Sequence, residues 1–153
     1  MGTYGYISII AMVCYAFMLL MFLAAKRNKI VNSFLVVLTG LLLWTGGSAF
    51  MRAQLWPQYE FWYQVSLFGI LLLPYAYYRF ILAFGGVREG MVGKLYLAVI
   101  LTCLVANIWN GFFLACPELV EKNGTPTFVY DIKPTILVLV FLVGAFLLHL
   151  FVI

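Results

Sequence analysis

Five stretches of this 153-residue chain are long and apolar enough to cross a lipid bilayer, and little sequence lies between them. A hydrocarbon core about 30 Å thick requires about 20 predominantly apolar residues in one helix. Charged residues make up only 9% of the chain, whereas soluble domains contain about 25%. Backbone groups in lipid must be hydrogen-bonded within the structure, so we expect helices rather than open strands. The sequence therefore predicts an all-α, polytopic membrane helical bundle with five transmembrane helices.

We interpret residues 1–153 as a single transmembrane helical domain. The five predicted helices cover about residues 6–25, 33–52, 61–84, 91–116 and 134–153. The last helix is still apolar at Ile153, and no Lys or Arg follows it to reach the headgroups. We therefore expect the chain to continue beyond Ile153. The alternative is that the chain ends there and packs against a partner.

Basic residues lie on alternate connections, and this bias predicts the orientation in the membrane. One side receives six of them: Lys26, Arg27, Lys29, Arg79, Arg88 and Lys94. The opposite side receives three: Arg52, Lys122 and Lys133. The excess places the first side in the cytoplasm and the N-terminus outside, in a multi-pass protein of the plasma (inner) membrane. The net charge of +4 then reflects membrane topology, and we expect no nucleic-acid partner.

No catalytic constellation or metal-binding motif stands out. The single histidine, His149, excludes paired-histidine haem ligation within this chain. The three cysteines, Cys14, Cys103 and Cys116, are far apart and lack the spacing of a metal site. We therefore expect no enzymatic activity, no cofactor and no bound metal in this chain, although an attached output domain can be a kinase or a cyclase.

Polar residues inside the predicted spans are the best candidates for a ligand site, because such residues are costly in lipid unless they find partners. Asn107 and Asn110 are three residues apart on one helix face, and Gln64 has a similar predicted depth on the third helix. We hypothesise an outward-facing pocket with aromatic walls and a few amide groups. The candidate ligand-binding residues are Trp44, Trp62, Gln64, Asn107, Trp109 and Asn110. The alternative, in which these residues only pack helices and form an interfacial belt, stays open.

Three segments carry a family resemblance. The first joins Asn32-Ser33-Phe34 to residues 41–47, the second covers residues 61–69 with 73–74, 77–80 and 84–86, and the third covers residues 107–113. These segments resemble the seven-helix sensor region at the amino terminus of bacterial histidine kinases and some diguanylate cyclases. The resemblance spans about residues 1–153 and corresponds to the first five helices of that region. Helices six and seven and a kinase or cyclase domain are not in this sequence.

The resemblance implies a membrane-embedded sensory input domain of a two-component system. A small extracellular or membrane-borne ligand would bind between the helices and favour one of two packings. The rearrangement would pass to a cytoplasmic signalling output domain, in a homodimer. Two other classes stay open: a structural or accessory subunit of a larger integral membrane complex, and a fragment of a transporter or channel. The absence of a mid-membrane acidic residue argues against the last of these.

Overall fold

The computed structural model describes residues 3–88, 90–110, 115–122 and 125–131. Its elements are, in chain order, α1 (Thr3–Ala24), α2 (Lys29–Arg52), α3 (Tyr59–Phe84), α4 (Met91–Asn110), β1 (Glu118–Lys122) and β2 (Thr125–Val129). Residue contacts divide the chain into two compact units, Met1–Ile100 and Leu101–Ile153.

Three helices of the described chain are long and apolar enough to cross a membrane. These segments are Tyr6–Ala24, Lys29–Arg52 and Tyr59–Phe84, and α4 contains a shorter apolar stretch, Gly93–Asn107. Residues 115–117 are not helical, so the fourth helix does not reach Cys116 as predicted. Pro117 provides the physical reason, because proline disfavours helical geometry at the residue before it. The fifth predicted helix, at 134–153, lies outside the described residues, and the count of five spans stays a prediction.

The start of α2 is set by a capping residue rather than by hydropathy. The side-chain oxygen of Asn28 accepts a hydrogen bond from the backbone N–H of Val31 at 2.7 Å. Asn28 itself has an extended backbone, which is the usual geometry of an N-cap residue. The helix therefore begins at Lys29, four residues before the predicted start near residue 33. Two hydroxyl groups within α2, those of Thr39 and Thr45, donate to the carbonyls of Leu35 and Leu41 at 2.8 Å, so the helix satisfies them itself.

Helices α2 and α3 pack closely as an antiparallel pair. A Cβ atom added to Gly47 would lie 2.6 Å from the backbone nitrogen of Ser66, a distance that only a glycine permits. The Ser66 hydroxyl donates a hydrogen bond of 3.0 Å to the carbonyl of Trp44 across the same interface. Small residues that allow such close backbone approach are a principal means of joining helices in lipid, where the hydrophobic effect does not drive association. The α2–α3 pair is the tightly packed part of the first unit.

Helix α1 packs on α2 with side chains rather than with backbone. The ring of Phe22 lies edge-on to that of Phe34, with centroids 4.8 Å apart, and Phe34 in turn contacts Phe80 of α3 at 5.4 Å. Much of the remaining surface of α1 is exposed, including Ile10 and Phe17. In a membrane these side chains are suited to face lipid or further helices.

A short β-hairpin in the second unit corrects the all-α prediction. Strands β1 and β2 are antiparallel, with Glu118 opposite Val129 and Lys122 opposite Thr125. Two residues, Asn123 and Gly124, separate the strands; they lie outside the described residues. An Asn-Gly pair between two strands is a strong hairpin signal, and the hairpin lies in the connection between the predicted fourth and fifth helices.

Candidate functional site

The first unit contains an apolar groove between α1 and the α2–α3 pair. Its volume is about 510 Å³. Helix α1 contributes Met12, Val13, Ala16, Phe17 and Leu20 to the lining. Helices α2 and α3 contribute Leu42, Leu43, Gly46, Gly47, Phe50, Trp62 and Val65. We call this feature the apolar groove, because among its described lining residues only Trp62 carries a polar side-chain atom.

Trp62 is the one predicted site residue that lines the apolar groove in the part of the chain described. Its indole N–H donates a hydrogen bond of 3.2 Å to the carbonyl of Leu55, in the connection between α2 and α3. Its ring packs edge-on against Phe50, with centroids 4.6 Å apart. The hydrogen-bonding capacity of the indole is thus already used, so Trp62 offers the groove an aromatic surface rather than a donor.

The other predicted residues of the first unit lie beside the groove. Trp44 is 39% exposed, and its backbone carbonyl accepts the hydrogen bond from Ser66. Gln64 is half-buried on α3. Neither side chain is among the described residues that line the apolar groove. The structure therefore places these two residues on the same helix pair as Trp62 but not in one cavity with it.

The remaining candidates belong to the second unit. Asn107 lies on α4 and is only 1% exposed, so its amide is shielded from solvent. Trp109 and Asn110 form the last turn of the same helix; their side chains lie outside the described part. The prediction that these three residues bind a ligand together with Trp62 stays a prediction.

Sequence reasoning missed most of the groove because it selected polar residues. The α1 residues that form one wall are apolar and are distributed like those of any lipid-facing helix. The Gly46-Gly47 pair provided the available signal, because adjacent glycines in a span remove two side chains and leave a hollow on the helix surface. The pair also lies in residues 41–47, one of the segments that carry the family resemblance.

A comparison with known families identifies the region. A family model for the N-terminal 7TM region of histidine kinase matches residues 7–153. The chain belongs to this family. The resemblance inferred from sequence is thereby confirmed, and the chain is a membrane-located sensor region of two-component signalling, the non-catalytic input part of such kinases. No curated protein and no solved structure matches the chain.

We predict that Trp62→Phe lowers the free energy of unfolding of this sensor region by about 1 kcal/mol, the usual net contribution of one hydrogen bond. The phenyl ring keeps the contact with Phe50 but loses the donor to the Leu55 carbonyl. Trp62→Ala removes both and is expected to cost more. Thermal unfolding of the purified full-length protein in detergent measures both changes. A Trp62→Phe variant as stable as the unmodified protein would contradict the contribution of the hydrogen bond, whereas equal losses for the two variants would contradict the contribution of the ring contact.

Proposed function

We propose that this chain is the input domain through which a histidine kinase senses an apolar, membrane-borne molecule bound in the groove. The family assignment supports a sensory role, and the apolar groove is the observation that supports this ligand class. The proposal includes the predicted orientation, with the groove in the outer half of the membrane. It also includes a cytoplasmic output domain and a homodimeric kinase as the partners of this region.

The chemistry of the groove favours a hydrocarbon chain over a polar solute. Ligand sites for small molecules usually have volumes of about 300–1,000 Å³ and contain a few polar groups that orient the ligand. The apolar groove, at about 510 Å³, has such a volume. Its one indole donor is already bonded to Leu55. A polar solute would therefore lose its hydration without gaining hydrogen bonds from the described lining, which is unfavourable.

The difference in packing between the helices provides a route for the signal. Backbone-to-backbone contacts at Gly47 and Gly69 join α2 and α3. Helix α1, by contrast, meets α2 through flexible side chains such as Met12, whose sulfur would be 3.5 Å from a Cβ on Gly46. A ligand between α1 and the pair acts on the more weakly held partner. It shifts an equilibrium only if it binds two positions of α1 with unequal affinity.

The outer polar residues have a second role in this proposal. Trp44, Gln64, Asn107, Trp109 and Asn110 stay candidates for contacts with the polar end of a membrane-borne ligand. Such a ligand needs hydrogen bonds only at its head group, and amide and indole side chains can supply them.

The test uses a photoreactive fatty acid that carries a diazirine on its chain and the full-length protein in its native membrane. We expect crosslinks to groove residues of α1, such as Ala16 and Leu20. Ala16→Phe fills the groove and is expected to reduce these crosslinks about tenfold, because the added ring occupies the site. It is also expected to change the autophosphorylation rate of the kinase. Ala24→Phe introduces the same ring at an exposed position of α1 outside the groove and serves as the matched control.

Three outcomes distinguish the candidate functions. Loss of crosslinking together with an altered phosphorylation rate in Ala16→Phe alone supports the sensory proposal. Crosslinks that are unchanged by Ala16→Phe, or that occur equally at exposed positions such as Ile10, contradict the groove as a ligand site. An Ala16→Phe protein with normal phosphorylation but lost association with other membrane proteins favours the accessory-subunit role.

A further inference from the structure

A second cavity in the first unit lies where the start of α2 meets the end of α3. Its volume is about 480 Å³. Its polar lining consists of Lys29, Asn32, Ser33, Arg79 and Arg88. We call it the basic cavity. Because α2 and α3 are antiparallel, residues that are about 50 positions apart in the sequence, such as Lys29 and Arg79, line the same cavity.

Three cations from three segments surround the basic cavity. Lys29 is the first residue of α2, Arg79 lies within the last turns of α3, and Arg88 follows the turn after α3. No acidic residue is among the described residues that line it. A lysine at a helix N-terminus also adds its charge to the positive end of the helix dipole, an arrangement that is unfavourable without an anion nearby. The combined field favours an anionic ligand.

The rest of the lining is apolar. It consists of Val36, Leu82, Ala83 and Val87. A ligand that fits the whole cavity therefore has an anionic group at one end and a hydrocarbon portion at the other. An anionic phospholipid has this composition, and basic pockets between transmembrane helices are known to suit lipid headgroups.

We propose that the basic cavity binds the phosphate group of an anionic phospholipid, with Lys29 and Arg88 as charged ligands. The positive-inside rule explains why basic residues occur on this side of the membrane. It does not explain why three of them surround one cavity, because other cations of the same side, including Lys26 and Lys94, are not among its described lining residues. This site is distinct from the apolar groove and does not depend on the sensory proposal.

A bound phospholipid would join the first turn of α2 to the segment that follows α3. Its phosphate would contact both elements and so would link the two ends. The leaflet composition would then influence the end of the helix pair that the sequence predicts to face the cytoplasm.

The test is native mass spectrometry of the full-length protein in mild detergent, titrated with phosphatidylglycerol. We expect Lys29→Gln/Arg88→Gln to bind this lipid at least about tenfold more weakly, because two charged contacts to an anionic headgroup are lost. Lys26→Gln/Lys94→Gln removes the same charge from the same side of the chain, outside the cavity. This matched control is expected to bind phosphatidylglycerol like the unmodified protein.

Two further titrations in the same experiment identify the class of ligand. Phosphatidylcholine, which has no net charge, is expected to bind all variants weakly and alike. A large excess of inorganic phosphate is expected to leave phosphatidylglycerol bound to the unmodified protein, since phosphate lacks the hydrocarbon portion. Displacement by inorganic phosphate would assign the cavity to a free anion and overturn the lipid proposal. Equal weakening in the two double variants would also overturn it, because binding would then follow overall charge rather than this cavity.

Discussion

Replacing Gly69 by alanine is expected to lower the free energy of unfolding of the α2–α3 pair by about 3 kcal/mol, the upper end of the usual range for an overpacked core. The new Cβ would lie 2.7 Å from the carbonyl oxygen of Gly40 and would also overlap the backbone nitrogen of Trp44. Backbone atoms of a continuous helix cannot move one at a time. The two helices must therefore separate along their length, and dispersion contacts across the interface are lost.

Gly46→Ala is the matched control for this experiment. It makes the same chemical change on α2, but its Cβ meets the side-chain sulfur of Met12 at 3.5 Å, which is ordinary van der Waals contact. We expect its stability to stay within about 0.5 kcal/mol of the unmodified protein, as for most mild substitutions. Thermal unfolding of the full-length protein in detergent measures both. Equal stabilities for Gly69→Ala and Gly46→Ala would contradict the close approach of α2 and α3.

The existence of the first three helices could be predicted from sequence because lipid imposes a length and a composition on each span. Their ends could not be read from hydropathy. Asn28 caps α2 with a hydrogen bond to Val31, so the helix begins within a charged segment that a hydropathy criterion excludes. Pro117 and the hairpin after it similarly follow from local backbone chemistry. Such features require the turn and cap rules rather than the apolar pattern.

The packing of the helices against each other could not be predicted from the sequence. The role of the glycines at the α2–α3 interface can be recognised only once the two helices are known to be neighbours. At Gly69, a side chain is excluded because backbone atoms of Trp44 and Gly40 on the other helix lie too close. The sequence of α3 alone does not indicate that α2 is the helix that packs against Gly69. The seven-residue separation of Gly40 and Gly47 matches one face of a helix, but many spans contain glycines at such spacing without a close neighbour.

The candidate sites, too, could be predicted only in part from the sequence. Sequence reasoning selected amides and tryptophans, since polar groups in lipid need an explanation. Trp62 was the part of that selection that the structure places in the apolar groove. The rest of the groove consists of apolar residues that are individually ordinary. In the sequence, Lys29, Arg79 and Arg88 indicate only the orientation in the membrane. Their arrangement around one cavity depends on the antiparallel pairing of α2 with α3.

Leu38→Ala is expected to have the second-largest effect, a loss of about 2 kcal/mol in the free energy of unfolding, at the low end of the range for buried Leu→Ala substitutions. Leu38 lies on α2 and is only 1% exposed. In a soluble protein the loss combines a transfer term with a cavity term. In a bilayer the separated helices remain in hydrocarbon, so the transfer term is small, and the lost packing contacts account for most of the cost. Unfolding of the reconstituted full-length protein, followed by circular dichroism during titration with a denaturing detergent, measures this loss.

Leu23→Ala separates packing from hydrophobicity in the same experiment. Leu23 is 45% exposed on α1, so the substitution removes the same atoms from a membrane helix without opening an internal cavity. If packing against neighbouring helices stabilises this region, Leu38→Ala unfolds at a lower concentration of denaturing detergent than Leu23→Ala does. Leu23→Ala then unfolds at the same concentration as the unmodified protein. If the two variants lose equal stability, the hydropathy of each span determines the stability of the region. The α2–α3 pair would then not be the rigid element on which the proposed movement of α1 depends.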